Sequence, residues 1–318
     1  MDKICVTGGA GFIGTNFVRY IYDRYEARIT VIDKLTYAGR KENLDGLDIT
    51  FIQKDICDLS KDDFQEFDFV YNFAAESHVD RSITSPDNFL KSNILGVVNL
   101  LELCKDTGVG RFIQISTDEV YGSVNIPSRE NDVLSPSSAY SASKASAETF
   151  CNAYYKTFQI PIIITRSSNN FGPYQHDEKF VPKVILNSLR NQKIPVYGTG
   201  SQIRDWIFVA DNCEAMDFVS RNGKIGEIYN IGGGNQKRNV DLATEILGIL
   251  GKTKDLIAYV EDRLGHDYEY NLDCFKISKL GWKPKYNFEK SLKLTIKWYQ
   301  ESILKISDKS KEKFYMDA

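Results

Sequence analysis

Two carboxyl side chains stand together at Asp118-Glu119, preceded by Thr117. They follow Arg111-Phe112-Ile113-Gln114-Ile115, a run that reads as a buried strand. Ligands of open α/β sheets bind just past the carboxyl ends of strands, so reacting atoms are expected there. One protonated and one ionised carboxyl can serve as acid and base on neighbouring carbons. Burial and like charge push the two pKa values apart, which makes that division workable. Taken alone, the pair also fits a solvated acidic turn.

Tyr140 and Lys144 are four residues apart, on one face of a helix. A tyrosine with its ordinary pKa of about 10 is too weak a base at neutral pH. A nearby ammonium, with a nicotinamide cation, lowers it and gives a base for a hydroxyl proton as hydride leaves. In isolation this spacing also describes many exposed helical pairs. Its context is a turn with Gly8, Gly11 and Gly14, between the strand Lys3-Ile4-Cys5-Val6-Thr7 and a helix beginning near Phe12. Such glycines let the backbone approach a pyrophosphate at a helix N-terminus. Asp33 follows about 20 residues later, where a carboxylate accepts from a ribose 2′-OH and repels a 2′-phosphate. That favours NAD over NADP, although Lys34 and Arg40 stand close by. Asp55-Ile56 fits either an adenine contact or a simple turn.

These residues need a frame. Strands are expected at 28–32, 49–52, 69–73, 111–115 and 161–165, besides the first. Helices are expected over 12–22, 89–104 and 140–155, the second with Leu90, Ile94, Val97, Val98 and Leu101 as its apolar stripe. Alternating strands and helices imply a doubly wound, Rossmann-like parallel α/β sheet. After Gly172, prolines and glycines break the rhythm, with helices expected over 209–219 and 240–250. Residues 1–171 are therefore expected to form the cofactor domain, which also receives a segment near 205–235. Residues 172–318 are expected to form mainly a smaller substrate domain, with a frayed tail from Ser307.

The 318 residues carry a net charge of -3, so no global field attracts nucleic acid or an anionic membrane. Six scattered cysteines without a C-x-x-C pair, and three histidines, argue against structural zinc and for a reducing cytosol. No apolar run is long enough to span a bilayer, and the start, Met1-Asp2-Lys3, reads without a secretory signal. A cytoplasmic protein without a metal is expected.

The residues jointly carry a resemblance. Thr7-Gly8-Gly9-Ala10-Gly11-Phe12-Ile13-Gly14, Asp33-Lys34-Leu35-Thr36-Tyr37-Ala38-Gly39, Ala74-Ala75-Glu76-Ser77-His78-Val79-Asp80-Arg81-Ser82, Ser116 to Gly122, Tyr140-Ser141-Ala142-Ser143-Lys144 and Ser168-Asn169-Asn170-Phe171-Gly172-Pro173-Tyr174 resemble the dTDP-glucose 4,6-dehydratases of the extended short-chain dehydrogenase/reductase superfamily. Gln202-Ile203-Arg204-Asp205-Trp206 and Asp262-Arg263-Leu264-Gly265-His266-Asp267 extend it over nearly the whole chain. The resemblance implies that Tyr140, helped by Lys144 and Thr117, takes the glucose C4 hydroxyl proton while hydride goes to NAD. Glu119 would then take the C5 proton and Asp118 would protonate the leaving C6 hydroxyl. Hydride returns to C6, giving a 4-keto-6-deoxy sugar for deoxysugar-nucleotide (rhamnose-type) biosynthesis.

It also implies contacts. For NAD these are Gly8, Gly11, Phe12, Ile13, Gly14, Asp33, Lys34, Leu35, Thr36, Asp55, Ile56, Phe73, Ala74, Ala75, Ser77, Ser92, Tyr140, Lys144 and Asn170. For the nucleotide sugar they are Ser77, Thr117, Asn169, Lys179, Phe180, Arg204, Asn239, Arg263 and His266, with Pro195, Val196 and Tyr197 lining the base pocket. A homodimer through the helices 89–104 and 140–155 is implied too. UDP-glucose or UDP-N-acetylglucosamine 4,6-dehydratases remain alternatives on the residues themselves. A UDP-sugar 4-epimerase does not expel the C6 hydroxyl and so has no use for the carboxyl pair.

Overall fold

A computed structural model describes residues 1–305. The expected fraying from Ser307 lies outside the described residues. The strands of the first half are β1 (Asp2–Thr7), β2 (Ala27–Asp33), β3 (Thr50–Gln53), β4 (Phe67–Asn72), β5 (Val109–Thr117) and β6 (Ile162–Ser167). Then come β7 (Asn169–Phe171), β8 (Ile194–Tyr197), β9 (Ile203–Phe208), β10 (Ile228–Ile231), β11 (Gln236–Arg238) and β12 (Ile257–Val260). Among the described residues, β10-β6-β5-β4-β1-β2-β3 form one seven-stranded sheet, parallel throughout. The chain runs outward from β1 to β3, then crosses back to β4. The sheet therefore switches direction between β1 and β4, which is where such sheets open a crevice.

Both faces of the sheet are covered, which explains why β6 is buried at every residue and does not alternate. On one face, Ile4 and Val6 meet Phe17, Val18 and Ile21 of α1 (Phe12–Arg24). On the other, Cys5 shares a core with Val97, Leu100 and Leu101. The apolar residues of α1 are each worth about 1.5–3 kcal/mol on burial. That anchoring holds a helix whose first turn has no side-chain cap.

The expected helix over 89–104 is not one α period. After α2 (Val79–Thr84), the segment runs as α3 (Asp87–Leu90), a π turn at Lys91–Leu95, and α4 (Gly96–Thr107). The wider turn shifts the register. Leu90 from the expected stripe is 49% exposed and Leu95 61%, while Ser92 and Asn93 are buried. Asn93 uses this position to accept from the Glu76 N–H, at 2.8 Å, and to donate to the Glu76 carbonyl and to Ser143. α5 (Ala139–Phe158) begins with a reciprocal cap between Ser138 and Ser141, which fixes Tyr140 within its first turn.

The later helices are α6 (Phe180–Leu189), α7 (Val209–Asn222), α8 (Asn239–Ile249), α9 (Phe275–Leu280) and α10 (Phe288–Lys305). α7 lies beside α1 on the main sheet, while α6, α8 and α10 pack together. Two small sheets, β11-β9-β7 and β12-β8, sit at the carboxyl edge with them. The expected helices over 209–219 and 240–250 correspond to α7 and α8.

Candidate active site

One cleft runs along the carboxyl ends of β1, β2, β4, β5 and β6, and the glycine turn forms its floor. Gly8 has φ +68°, and a Cβ there would lie 2.5 Å from the backbone nitrogen of Ala74. A Cβ on Gly14 would collide with the Gly8 carbonyl oxygen. α1 opens with Gly11 at its cap and no side chain on its first N–H groups, so its positive end faces the cleft. Phe12, Ile13, Phe73, Ala74 and Ala75 line the same floor. Gly8→Ala is expected to destabilise the protein by about 1–2 kcal/mol from the left-handed backbone alone. The clash with Ala74 adds to that, and the purified variant should hold less dinucleotide. An unchanged melting temperature with full cofactor content would contradict this account of the turn.

Asp33 ends β2. Its Oδ2 accepts from the Ala10 N–H at 3.0 Å and its Oδ1 from the Leu35 N–H at 2.8 Å, with Leu35 in the left-handed region at φ +57°. Burial pushes the carboxyl up, and the two N–H donors and Lys34 oppose it. Each oxygen keeps acceptor capacity for a ribose hydroxyl. Lys34 does not turn toward Asp33. It donates to Ser92 at 2.8 Å and lies 3.6 Å from Asp55 and 3.7 Å from Glu76. Thr36 and Ser77 line the cleft nearby. Asp55 caps its own turn by accepting from the Cys57 N–H, and it lines the cleft beside buried Ile56. The turn and ligand readings of Asp55 are therefore compatible.

The two carboxyls leave β5 in a single 3-10 turn, Asp118–Tyr121. Thr117 Oγ1 donates to Asp118 Oδ1 at 3.2 Å and accepts from the Glu119 N–H at 3.2 Å. Their surroundings differ. Burial pushes Asp118 well above the usual carboxylate range, Glu119 and Asp205 push it further, and Arg204 opposes. Its Oδ2 is buried without a hydrogen-bond partner. Burial also raises Glu119, but Arg263, Arg204 and Lys179 all pull it back. Of the two, Asp118 is the carboxyl more strongly biased toward its protonated form, and Glu119 is the one that ionises more easily.

Tyr140 reaches this turn from α5. Its ring packs edge-on against Phe89, and its hydroxyl is hydrogen-bonded to Thr117. Lys144 is not among the protein groups that act on the Tyr140 phenol. Burial, Glu119 and Asp118 raise the phenol, and Lys144 Nζ instead donates to the Ile115 carbonyl at 2.6 Å. The reason is that Tyr140 shares a buried space with two carboxyls, and negative charge on either disfavours a phenolate beside it. Lys144 itself is pushed down to about 8 by burial, against the pull of Glu148.

The residues expected to meet the nucleotide sugar do not all converge. Asn169, Asn170 and Lys179 line the cleft, with unpartnered Oδ1 atoms on both asparagines. Lys179 Nζ donates to the Ser77 carbonyl at 2.8 Å. Arg263 lies 3.6 Å from Asp80, and its Nε is buried without a partner. Arg204 is committed to backbone carbonyls at Ile203, Asp267 and Tyr268 and lies over the Tyr270 ring, with no ion pair to Asp205. His266 pairs with Asp262 at 2.6 Å and meets the Tyr197 ring edge-on. Phe180 stacks on Trp206, and Asn239 donates its N–H to the Gln202 carbonyl. Pro195, Val196 and Tyr197 are on β8, where side chains alternate. Val196 is 1% exposed in the core, whereas Pro195 and Tyr197 face outward. The three cannot line one pocket together.

Some cleft residues stand outside the sequence reading. The buried hydroxyls of Ser116 and Ser168 have no partner and face the cleft. Asp205 accepts from the Gly233 and Asn235 N–H groups and adds negative charge near Asp118. Glu178 gathers His78 and Arg81 at 3.5 Å over the mouth. Ser116, Ser168 and Asp205 stand inside quoted motifs and Glu178 stands beside Lys179, but their orientations depend on distant chain segments.

Residues 5–295 match the GDP-mannose 4,6 dehydratase family. The Low-salt glycan biosynthesis protein Agl12 of Haloferax volcanii is 46% identical over 303 residues, covering 93% of this chain and 98% of that protein. A dTDP-glucose 4,6-dehydratase of Escherichia coli is 43% identical over 333 residues, covering 93% and 92%. The structure of DesIV, a dTDP-glucose 4,6-dehydratase from Streptomyces venezuelae with NAD bound, gives a TM-score of 0.91 at 42% identity over 94% of this chain and 97% of that one. With its glycine turn, Asp33 and acid pair held in one cleft, the chain belongs to the GDP-mannose 4,6 dehydratase family and has dTDP-glucose 4,6-dehydratases among its relatives.

Proposed function

We propose that the protein converts dTDP-glucose to dTDP-4-keto-6-deoxyglucose and water, using tightly bound NAD. The observation that carries the reading is the unequal pair beside Tyr140: burial and negative neighbours raise Asp118, while Arg263, Arg204 and Lys179 oppose the rise at Glu119. Elimination of water needs an acid and a base on adjacent carbons, and an epimerase needs neither.

NAD, when bound, would supply the acceptor for the C4 hydrogen, the donor that returns it to C6, and a positive charge that favours the Tyr140 phenolate. The protein's groups do the rest. Tyr140 acts as its phenolate, favoured by the Thr117 hydrogen bond and by the proton on Asp118, and its oxygen takes the C4 hydroxyl proton to become the phenol. Glu119 then takes the C5 proton, which the C4 ketone has made acidic. Asp118 gives its proton to the C6 oxygen as water leaves. The Gly8–Gly14 turn and Asp33 hold pyrophosphate and ribose. Lys179 and the free Nε of Arg263 are the cations placed to meet the diphosphate.

Residues 1–171, with the returning segment near 205–235, are assigned to the cofactor, and 172–318 mainly to the nucleotide sugar. A homodimer through 89–104 and 140–155 fits the exposed Leu90 on α3, Leu95 in the π turn and Phe150 on α5. Six free cysteines fit a reducing, cytoplasmic setting. Incubation with dTDP-glucose, UDP-glucose, CDP-glucose and UDP-N-acetylglucosamine, without added NAD, tests the reading. The 4-keto-6-deoxy product is expected from dTDP-glucose. Product from a UDP-sugar alone would move the assignment to that nucleotide. No product from any of them, even with NAD supplied, would end the dehydratase reading.

A further inference from the structure

We infer that Glu148, braced by Arg166, is a positioning residue that holds Lys144 and the Asp118–Tyr121 turn in one fixed relation. Glu148 lies four residues after Lys144 on α5, so it stands one turn behind it on the same face. Glu148 and Arg166 are buried, at 1% and 2% exposure. Arg166 holds both carboxylate oxygens, Nε at 3.1 Å to each and Nη2 at 2.5 Å to Oε2. Its remaining Nη1 donates to the Tyr121 hydroxyl at 2.6 Å and to the Glu130 carbonyl at 3.1 Å. Tyr121 passes its own proton to Asn230 Oδ1 at 2.9 Å. Arg166 sits opposite Ser116 in the β5–β6 register, directly under the point where the acid pair leaves the sheet.

One guanidinium therefore joins the helix carrying Tyr140 and Lys144 to the turn carrying Asp118 and Glu119. A buried ion pair is weak evidence for stability, because desolvation offsets its attraction. A role in setting geometry and charge explains it better. Glu148 is also the main group that sustains the Lys144 ammonium against its burial. The other ionisable group that bears on Lys144 is Cys151 on α5, and Arg166 lies beyond it, bound to Glu148.

The inference rests on the dehydratase reading only for its kinetic readout. The test follows the Lys144 ammonium by NMR of isotope-labelled lysine in the cofactor-bound protein, its signal assigned by loss in Lys144→Arg. The high-pH limb of kcat is measured alongside. In Glu148→Gln both should move down by about one pH unit, a tenfold change in the ammonium population. Glu148→Asp should restore most of the shift. The double variant Glu148→Leu/Arg166→Met leaves no buried charge behind and should fold even if Glu148→Gln does not. It too should show the lowered Lys144 titration. A folded double variant with Lys144 titrating as in the wild type would overturn the inference. An inactive wild type would defeat the dehydratase reading instead, and the Lys144 titration would still decide this one.

Discussion

Asp118→Asn is expected to leave oxidation at C4 intact while slowing water loss by about 10²–10⁴-fold, the usual worth of a positioned general acid. Asparagine has the same shape, and its carbonyl can still accept the Thr117 hydroxyl that now lies 3.2 Å from Asp118 Oδ1. The lost feature is the transferable proton. The native carboxyl keeps that proton because of burial and the negative charges of Glu119 and Asp205. On mixing with dTDP-glucose, the near-ultraviolet absorbance of reduced nicotinamide should rise quickly and persist, with little 4-keto-6-deoxy product. Water loss at the normal rate would show that another group is the acid. Absence of the early absorbance would show that Asp118 is needed for the first step as well.

Tyr140→Phe should instead stop the reaction before any absorbance change, with kcat falling by about 10²–10⁴-fold. The ring contact with Phe89 survives the change, so folding and cofactor content should be close to normal. The lost atom is the hydroxyl oxygen bonded to Thr117. Because the carboxyls raise Tyr140, the first step should also respond to them. Glu119→Gln removes the more readily ionised carboxyl that disfavours the phenolate, so the oxidation step should keep its rate to lower pH. The direction follows from the sign: removing a nearby negative charge lowers an acid's pKa. Rapid-mixing measurement of the absorbance rise across pH checks this. A limb shifted to higher pH in Glu119→Gln would contradict it.

Much of the frame was legible because it follows short-range rules. Glycines at 8, 11 and 14 between a buried strand and a helix leave little choice of turn. The strands around β1, β2, β4, β5 and β6 announced themselves as apolar runs. The π turn at Lys91–Leu95 was not legible, since a stripe such as Leu90, Ile94 and Leu101 looks helical whatever the register. Its cause is tertiary: Asn93 is drawn inward to clamp Glu76 and meet Ser143. Resemblance named Pro195, Val196 and Tyr197 as a group, but strand alternation on β8 separates Val196 from its neighbours.

For Thr117-Asp118-Glu119 and Tyr140/Lys144, the sequence by itself determined which chemical groups are present and that they lie past the end of one strand and on one helical face. The tertiary structure decided which carboxyl holds the proton. That depends on Asp205, Arg204, Arg263 and Lys179, which arrive from separate segments later in the chain. It also decided that Tyr140 is raised and that Lys144 faces the Ile115 carbonyl, against the expectation from a four-residue spacing. Spacing fixes neighbours along a helix, whereas a buried group's pKa is set by every charge and every removed water around it, whatever its place in the chain.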